Sequence, residues 1–582
     1  MKRVSKFYGK LAFDAEAQRW RISDLEPHVA LRLKQMFPRV PAAQSGTFSL
    51  VANPDVAADL DWFTTRYPLL ISEADQRALA NQSAIYFDTQ AEAERILLPD
   101  RSPQRRRGLK KGQRLRKYQK TFLDYLEITR SLLLIDDIGL GKTYEGLAVG
   151  LLPDALPMVI VVQPHLQHQW MEKAAEFINL RTHAIKTTRP YDLPEADIYI
   201  FKYTQLAGWV DVLSTGYFKA IVYDEVQELR RGTESSKGTA ANSLQDAFTY
   251  RVGMTATLVY NYGIEAWNIV ELLRRGLLGS RYEFLREWCS SNENKGVVEN
   301  PAALGAYLRE QHMLLRRTRG DVGQEAKQGA PHFEWLDPDE KSVQETALLA
   351  EQLAITALTG QFSIAGQAAR EFDMRLREIT GIAKARAVAA YVRMFVETGT
   401  PVVVWGWHRE VWRILQRELA DLKPLMYTGS ESPSQKERNK KAFIAGESDI
   451  LFMSLRSGAG ADGIQHRCST GIFAELDWSP QIHTQCGGRL DRDGQEDSVF
   501  LFYCLTEFGS DPTIIDMQGV KDSQDRGIID PGMEKEIYQA DPERIRRLAQ
   551  DYLKLRGKPV PERSERLDSV SGDSEQAELA LI

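Results

Sequence analysis

The chain has 582 residues, of which 43% are hydrophobic and 26% charged, with a formal net charge of -6. This length is too great for one hydrophobic core and predicts about three to four domains. The composition is ordinary for a soluble globular protein, and the acidic overall charge gives no global sign of nucleic-acid binding.

The cysteines and histidines argue against a structural zinc site in this chain. The four cysteines show no paired C-x-x-C spacing, and the nine histidines form no metal-binding constellation with them. So few cysteines in so long a chain fit a reducing compartment. Because the first residues lack an apolar signal core and no apolar run is long enough to span a membrane, we expect a cytoplasmic protein without membrane contact.

Residues 1–100 are predicted to form a small α+β domain. The run KLAFDAEAQRWRI is typical of two strands around a turn, and EPHVALRLKQMF is typical of an amphipathic helix. A second helix is expected in ADLDWFTTRY, and Ser72 is predicted to N-cap a third.

A basic run follows from Arg101 to Lys120, with ten basic residues and no acidic one. Residues 101–112 of this run are predicted to be a linker. The basic side chains are either solvated or in contact with phosphate groups, and the sequence leaves both interpretations open.

Residues 113–325 and 326–545 each alternate short apolar runs with helical stretches. This alternation predicts an α/β fold with two tandem lobes, each a parallel sheet covered by helices. Helical insertions are expected at about 264–315 in the first lobe and at about 340–398 in the second. Residues 546–582 are predicted to be a C-terminal helix followed by a disordered acidic tail.

The stretch LLLIDDIGLGKTYEGL places a glycine-rich loop directly after an apolar strand and before a helix. Backbone N–H groups of such a loop bind phosphate oxygens, and the helix N-terminus adds its positive dipole end. Lys142 would reach the β- and γ-phosphates of ATP, and Thr143 would ligate Mg²⁺. One position departs from the usual pattern, because Asp136 stands where the first glycine is expected. The candidate nucleotide-binding residues in the loop are Asp137, Gly139, Leu140, Gly141, Lys142 and Thr143.

The apolar run AIVYDEVQELR reaches two carboxylates, Asp224 and Glu225. Such a pair is by itself more often a strand end than a site, but the phosphate loop upstream reverses that preference. Asp224 would then hold the Mg²⁺ ion, and Glu225 would orient or deprotonate the attacking water.

The segment QCGGRLDRDGQ places Arg489 and Arg492 three residues apart and behind Gln485. If the segment is helical, this spacing sets both guanidinium groups on one face. They are either surface charges paired with Asp491 and Asp493, or arginine fingers that the second lobe delivers to the γ-phosphate.

Nine motifs occur in the order in which the Snf2-type ATPases of helicase superfamily 2 carry them, over roughly residues 113–520. They are LRKYQ, DDIGLGKT, VVQPHLQHQW, YDEVQ, GMTAT, LLRRTRGDV, YTGS, SLRSGAG and DWSPQIHTQCGGRLDRDGQ. The chain resembles that family, which implies two RecA-like lobes that clamp ATP and Mg²⁺. Through the strand pair FD…QRW and the helix that carries LK.MFPR, residues 1–100 also resemble the accessory domain of annealing-helicase members, which implies a domain for DNA-substrate recognition. The alternative is a domain that only packs on the motor.

The resemblance implies roles for further residues. Gln119 matches the glutamine that reads adenine, and Thr255 and Thr257 match the motif that couples hydrolysis to lobe closure. Positions that usually contact the DNA backbone, each of which could equally be a loop or cap residue, are Pro164, Thr204, Ser454 and Arg456.

The sequence departs from the usual family form at one segment and at two single residues. SLRSGAGADGIQ differs from GGEGLN, and Leu258 stands where proline is common. Gln227 stands where many relatives carry a histidine that contacts the coupling motif. An amide still donates and accepts hydrogen bonds, although it does not titrate near neutral pH, so we expect Gln227 to keep the coupling contact.

The resemblance implies a DNA-dependent ATPase, with DNA repair as an expected setting. ATP binding would close the lobes and hydrolysis would reopen them. We expect translocation on double-stranded or branched DNA with little sequence specificity, leading to remodelling or strand annealing rather than processive unwinding. Three alternatives stay open: a motor subunit of a larger defence, restriction or replication complex, an RNA-directed helicase, and a catalytically silent scaffold that binds nucleic acid.

Overall fold

A computed structural model of the protein describes residues 6–41, 43–255, 263–289, 296–324, 327–339, 341, 351–352, 354–356, 358, 362–456, 462–515, 544–555 and 557–561. The predictions for Thr257, Leu258 and the acidic tail at 562–582 lie outside these residues. Within the described ranges, no helix is both long enough and apolar enough to cross a membrane. The same ranges contain no group of three or more His, Cys, Asp or Glu side chains that could hold a metal ion.

The N-terminal domain is built on a three-stranded antiparallel sheet, β1 (Lys10–Asp14), β2 (Arg19–Ser23) and β3 (Phe48–Val51). Successive side chains of β2 point to opposite faces of the sheet, so Trp20 and Ile22 are buried and the neighbouring arginines lie outside the core. The helices of this domain are Pro27–Met36, Pro54–Arg66 and Glu73–Leu97. The Ser72 hydroxyl accepts a hydrogen bond from the Asp75 N–H, which confirms the predicted N-cap.

The first lobe is a seven-stranded parallel sheet with the order β10-β4-β9-β8-β5-β7-β6. Its strands are β4 (Ser131–Leu134), β5 (Met158–Val162), β6 (Thr182–Ala184), β7 (Ile198–Lys202), β8 (Ala220–Asp224), β9 (Tyr250–Met254) and β10 (Leu314–Leu315). Strand β5 is apolar throughout and all four residues of β4 are buried, because helices cover both faces of the sheet. Those helices are Lys117–Thr129, Lys142–Ala148, Gln167–Phe177, Leu206–Leu213, Ser236–Ser243, Gly263–Leu273, Arg281–Trp288 and Pro301–Glu310.

The second lobe is a six-stranded parallel sheet with the order β11-β16-β15-β12-β14-β13. Its strands are β11 (His332–Trp335), β12 (Val402–Gly406), β13 (Leu425–Tyr427), β14 (Ile450–Ser454), β15 (Thr470–Phe473) and β16 (Phe500–Leu505). Its helices are Phe362–Glu397, Arg409–Glu418, Pro433–Ile444, Pro480–Gly487 and Arg544–Leu555. The predicted fold class, two parallel-sheet lobes with a small α+β N-terminal domain, is confirmed.

The N-terminal domain packs on the helical insertion of the first lobe. Arg39 and Glu287 form a buried ion pair at 3.2 Å across this contact. The Asn53 side chain donates to the Gly276 carbonyl at 3.0 Å, and the Tyr307 hydroxyl donates to Asp55 at 3.1 Å. These polar contacts fix the N-terminal domain to the lobe that carries the phosphate loop.

Some side chains of the basic run anchor it to the first lobe, and others are exposed. Arg101 and Arg106 donate to the carboxylate of Asp124, which is buried in helix Lys117–Thr129, at 3.2 and 2.7 Å. These two arginines anchor the segment to the first lobe. In contrast, five basic side chains of the run are exposed and form no ion pair within the described ranges; they are Arg105, Arg107, Lys111, Arg114 and Lys117.

Candidate nucleotide site between the lobes

The phosphate loop joins the end of β4 to helix Lys142–Ala148. Gly139 and Gly141 have φ angles of +93° and +83°, which favour glycine because a Cβ atom strains this conformation. Lys142 is bent back over the loop, and its Nζ donates to the carbonyl oxygens of Asp136 and, at 3.2 Å, of Asp137. Burial lowers the pKa of Lys142. The ammonium group therefore lies against the backbone that would surround a phosphate.

Asp136, which replaces the first glycine of the loop pattern, is fully buried and binds Arg317. The same guanidinium donates to the buried Glu145 at 2.6 Å and lies over the ring of Tyr118, 5.1 Å from its centroid. Burial raises the pKa of Glu145 to about 8. Asp136 therefore ties the loop to the LLRRTRGDV segment, which explains its departure from the glycine pattern.

The LLRRTRGDV segment contacts both the phosphate loop and the second lobe. The Arg319 N–H donates to Asp137 Oδ2 at 3.0 Å, and its guanidinium donates to both the carboxylate and the backbone carbonyl of Asp491. Asp491 belongs to the segment that carries the two candidate arginine fingers. One arginine of the first lobe thus connects the phosphate loop to the arginine-finger segment.

Strand β8 ends at Asp224, beside the loop. Asp224 Oδ2 accepts from Trp170 Nε1 at 3.0 Å, and burial together with the neighbouring Glu225 raises the pKa of Asp224 to about 7. Glu225 has a φ of +53°, in the left-handed region that residues other than glycine rarely adopt. Backbone strain of this kind clusters at functional sites. Its Oε2 accepts from Gln227 Nε2 at 2.5 Å. Gln227 therefore orients the carboxylate that was predicted to act on water.

The second lobe contributes Gln485 from helix Pro480–Gly487 and the two arginines from the turns that follow it. The helix ends at Gly487, so Arg489 and Arg492 do not share a helix face as their spacing allowed. Burial and the nearby Arg492 lower the pKa of Arg489 to about 10. A Cβ on Gly488 would stand 2.4 Å from Ile138 Cγ2, so this turn packs directly on the phosphate loop.

One cleft of about 400 Å³ brings the predicted catalytic residues of both lobes together. The side chains from the sequence prediction that line it are Lys142, Thr143, Asp224, Glu225, Gln485, Arg489 and Arg492. Further residues that the sequence did not point to also line the cleft, among them Gln169, Trp170 and Lys173 from the first lobe and Asp462 and Gln465 from the second.

Asp462 links the two sides of this cleft. It accepts from Arg492 in its own lobe, and from Gln169 Nε2 at 2.7 Å and Lys173 Nζ at 3.1 Å in the other. Burial would raise the pKa of Asp462, but the positive charges of Arg492 and Lys173 outweigh it and hold the pKa at about 2. In the sequence, the only sign of Asp462 as a site residue was its position in SLRSGAGADGIQ, where the chain departs from the family form.

The remaining candidates from the first lobe lie close to the loop. Gln119 is buried, and its side chain accepts from the Arg116 N–H at 3.0 Å and donates to the Leu140 carbonyl at 3.3 Å. Thr255 is buried directly after β9, and its N–H donates to the Leu134 carbonyl at 3.1 Å. The adenine-reading and coupling roles of these two residues stay predictions.

The four candidate DNA contacts lie outside the cleft, at the ends of parallel strands. Pro164 follows β5, Thr204 follows β7, and both are exposed. Ser454 is buried at the end of β14, whereas Arg456 follows it with an exposed side chain. The carboxyl ends of strands in such sheets are where ligands bind, so the placement suits a surface contact, and the DNA role stays a prediction.

ATP with Mg²⁺ fits the groups present in the cleft. A loop with two left-handed glycines and a half-buried lysine suits phosphate oxygens. The Thr143 hydroxyl and the Asp224 carboxylate line the same cleft, and oxygen atoms of these two kinds are the ligands that Mg²⁺ prefers.

Comparison with known proteins gives a family match. The SNF2-related domain family matches residues 59–380. A SWI/SNF-related matrix-associated actin-dependent regulator of chromatin subfamily A-like protein 1 of Drosophila melanogaster is 24% identical over 71% of this chain and 55% of its own length. The DNA annealing helicase and endonuclease ZRANB3 of Mus musculus is 23% identical over 64% of this chain and 37% of its own length. The chain therefore spans about half the length, or less, of these relatives.

A solved structure also aligns with this chain, the Sulfolobus solfataricus SWI2/SNF2 ATPase core in complex with dsDNA. It is 20% identical, covers 74% of this chain and 95% of its own chain, and has a TM-score of 0.37.

Proposed function

This chain belongs to the SNF2-related family of Snf2-type ATPases, and on that basis we propose that it is an ATP-driven motor that tracks along duplex or branched DNA. One observation carries the proposal. The phosphate loop and two acidic residues of the first lobe line the same cleft as two arginines of the second lobe. A site divided between two lobes in this way allows nucleotide binding and hydrolysis to change how the lobes meet.

Bound ATP with Mg²⁺ would supply the scissile phosphoanhydride bond and the charge of the metal ion. Lys142 would exchange its contacts with loop carbonyls for contacts with phosphate oxygens. Glu225, oriented by Gln227, would position the attacking water and take its proton. Arg489 and Arg492 would place positive charge where negative charge develops during phosphoryl transfer.

Contacts with the DNA backbone would come from both lobes. Pro164, Thr204 and Arg456 are exposed at strand ends, and the five exposed arginine and lysine side chains of the basic run add positive charge. Binding through phosphates gives little sequence specificity and a strong dependence on salt concentration. If the two lobes grip the backbone alternately, each cycle of closure and reopening moves the protein along the duplex, which favours remodelling or strand annealing.

The proposal is tested by the rate of ATP hydrolysis with duplex, single-stranded and forked DNA and with RNA. We expect duplex or forked DNA to stimulate the wild-type protein, and Lys142→Ala and Glu225→Gln to abolish the stimulated rate. Lys441→Ala and Glu447→Gln, at exposed positions of the second lobe, are matched controls that should keep it. Stimulation by RNA alone would support an RNA-directed helicase, and no stimulation by any nucleic acid would support a scaffold.

A further inference from the structure

The segment after β12 is held in place by a buried carboxylate. Trp407 and His408 separate β12 from helix Arg409–Glu418. Glu475 accepts hydrogen bonds from the Trp407 N–H at 2.6 Å, the His408 N–H at 3.0 Å and His408 Nδ1 at 2.6 Å. With three hydrogen bonds to one buried side chain, the backbone of this short segment has a fixed position.

The Trp407 side chain does not enter the core. Trp407 is 42% exposed, whereas Trp405, two residues earlier and within β12, is fully buried. The Arg456 guanidinium lies over the Trp407 ring, 5.3 Å from its centroid. Arg456 is in turn held by the buried Asp477, which accepts from its Nε and Nη2 at 3.2 and 2.7 Å. A large aromatic ring is thus presented to solvent with a cation against it.

Strand pairing explains why these two side chains meet. Strands β12 and β14 are neighbours, and Gly406 lies opposite Ser454 in their register. Trp407 and Arg456 therefore leave the sheet at its carboxyl edge, beside a predicted contact with the DNA backbone. Arg409 is exposed at the start of the next helix, and no side chain caps that helix at His408. The ring is consequently flanked by positive charge and by the positive end of a helix dipole.

We propose that Trp407, supported by Arg456, is a stacking site for an unpaired base of DNA. An exposed aromatic ring next to cations that contact phosphates is the arrangement that binds single-stranded segments, because every base has a face that can stack. A base inside a duplex already stacks on its neighbours and is not available. The site therefore selects DNA that contains unpaired bases, such as a fork. This inference rests on the proposed function and adds a preference for DNA structure to it.

The test compares the affinities of forked DNA and fully paired duplex for the wild-type protein and for Trp407→Ala. Loss of one base–aromatic contact should weaken binding of the fork about tenfold. Binding of the duplex should change less than about twofold. Trp407→Phe should keep most of the preference for the fork, and Trp335→Ala, at an exposed tryptophan of the edge strand β11, should bind both DNAs as the wild type does.

Photocrosslinking of the wild-type protein gives a second measurement that needs no variant. A 5-iodouracil base in the unpaired arm of the fork should crosslink to Trp407, as located by mass spectrometry. The inference is overturned if Trp407→Ala binds the fork as tightly as the wild type does, if it loses both DNAs equally, or if the crosslinks map elsewhere. The proposed function fails separately if no DNA binds the wild-type protein or stimulates its ATP hydrolysis.

Discussion

Arg492 donates a hydrogen bond from Nη1 to Asp462 Oδ1, so an arginine that is proposed to meet the γ-phosphate lies against a carboxylate of its own lobe. Asp462 also accepts from Gln169 and Lys173 across the cleft. The same carboxylate thus binds cationic and amide groups that line the proposed phosphate site from both lobes. Its negative charge therefore lies against the groups that a phosphate oxygen of ATP would also contact.

Replacing this carboxylate should favour nucleotide binding. Asp462→Asn removes the negative charge that competes with phosphate for Arg492 and Lys173, and we expect the KM for ATP to fall about fivefold, which corresponds to about 1 kcal/mol. Steady-state ATP hydrolysis measures this change. Asp493→Asn is the matched control, because Asp493 is exposed and pairs with Arg116 across the same lobe boundary without binding Arg492. A higher KM in Asp462→Asn would contradict the competition.

The amide of Gln227 should matter for turnover more than for ATP binding. It donates to Glu225 Oε2 at 2.5 Å, and Gln227→Ala leaves that carboxylate without its orienting partner. We expect kcat of DNA-stimulated hydrolysis to fall about tenfold, the loss typical of a positioned acid–base group, while the KM for ATP changes little. Equal losses in kcat and in ATP binding would show that Gln227 supports the nucleotide pocket instead.

The exposed side chains of the basic run should contribute to DNA binding through salt-dependent contacts. Arg105→Gln combined with Arg107→Gln removes two charges, and the slope of log affinity against log salt concentration should decrease by about one per lost phosphate contact. Titrations of duplex DNA at several salt concentrations measure the slope. Arg393→Gln, which removes an arginine paired with Asp421 in the second lobe, should leave the slope unchanged. An unchanged slope in the double variant would assign the run to a solvated linker.

The second lobe should lose stability in mild acid because His483 is buried and neutral. Its Nε2 accepts from the Asp477 N–H at 3.2 Å, and burial lowers the pKa of His483 to about 4. An unfolded histidine has a pKa of about 6.5, so between these values the unfolded state binds a proton that the folded state does not. The free energy of unfolding should therefore fall as pH falls, by about 1–2 kcal/mol from this group between pH 7 and 5.

Chemical denaturation at several pH values measures that slope. His483→Gln should make the slope between pH 7 and 5 shallower, whatever its effect on the absolute stability. His28→Gln, at a histidine whose side chain is 62% exposed, should leave the slope as it is in the wild type. An identical slope in His483→Gln would mean that other groups cause the acid sensitivity.

The half of the site in the first lobe could be predicted from the sequence, because each of its groups follows an apolar strand in a contiguous motif. Lys142 follows β4 and Asp224 ends β8, and the carboxyl ends of parallel strands meet at one edge of the sheet. Asp136 was recognised only as a departure from the glycine pattern. Its reason is the packing of Arg317, which lies far away in the chain and gives no local signal.

The contacts between the lobes could not be predicted in the same way. Gln169 and Asp462 are 293 residues apart, and their hydrogen bond depends on how two separately folded sheets meet. Strand β3 was missed because four residues are too short for a clear alternating pattern. Trp407 lies in an apolar run that is typical of a buried strand, so the sequence does not show that it follows the end of β12 with its ring exposed.

Movement along duplex DNA is tested most directly by triplex displacement. A labelled third strand is bound in the major groove of a duplex, and its release is followed after the protein and ATP are added. We expect the wild-type protein to release the third strand with ATP but not with ADP, and Glu225→Gln to release none. If the wild-type protein hydrolyses ATP on this duplex while the third strand stays bound, hydrolysis is not coupled to translocation and the proposed function is wrong.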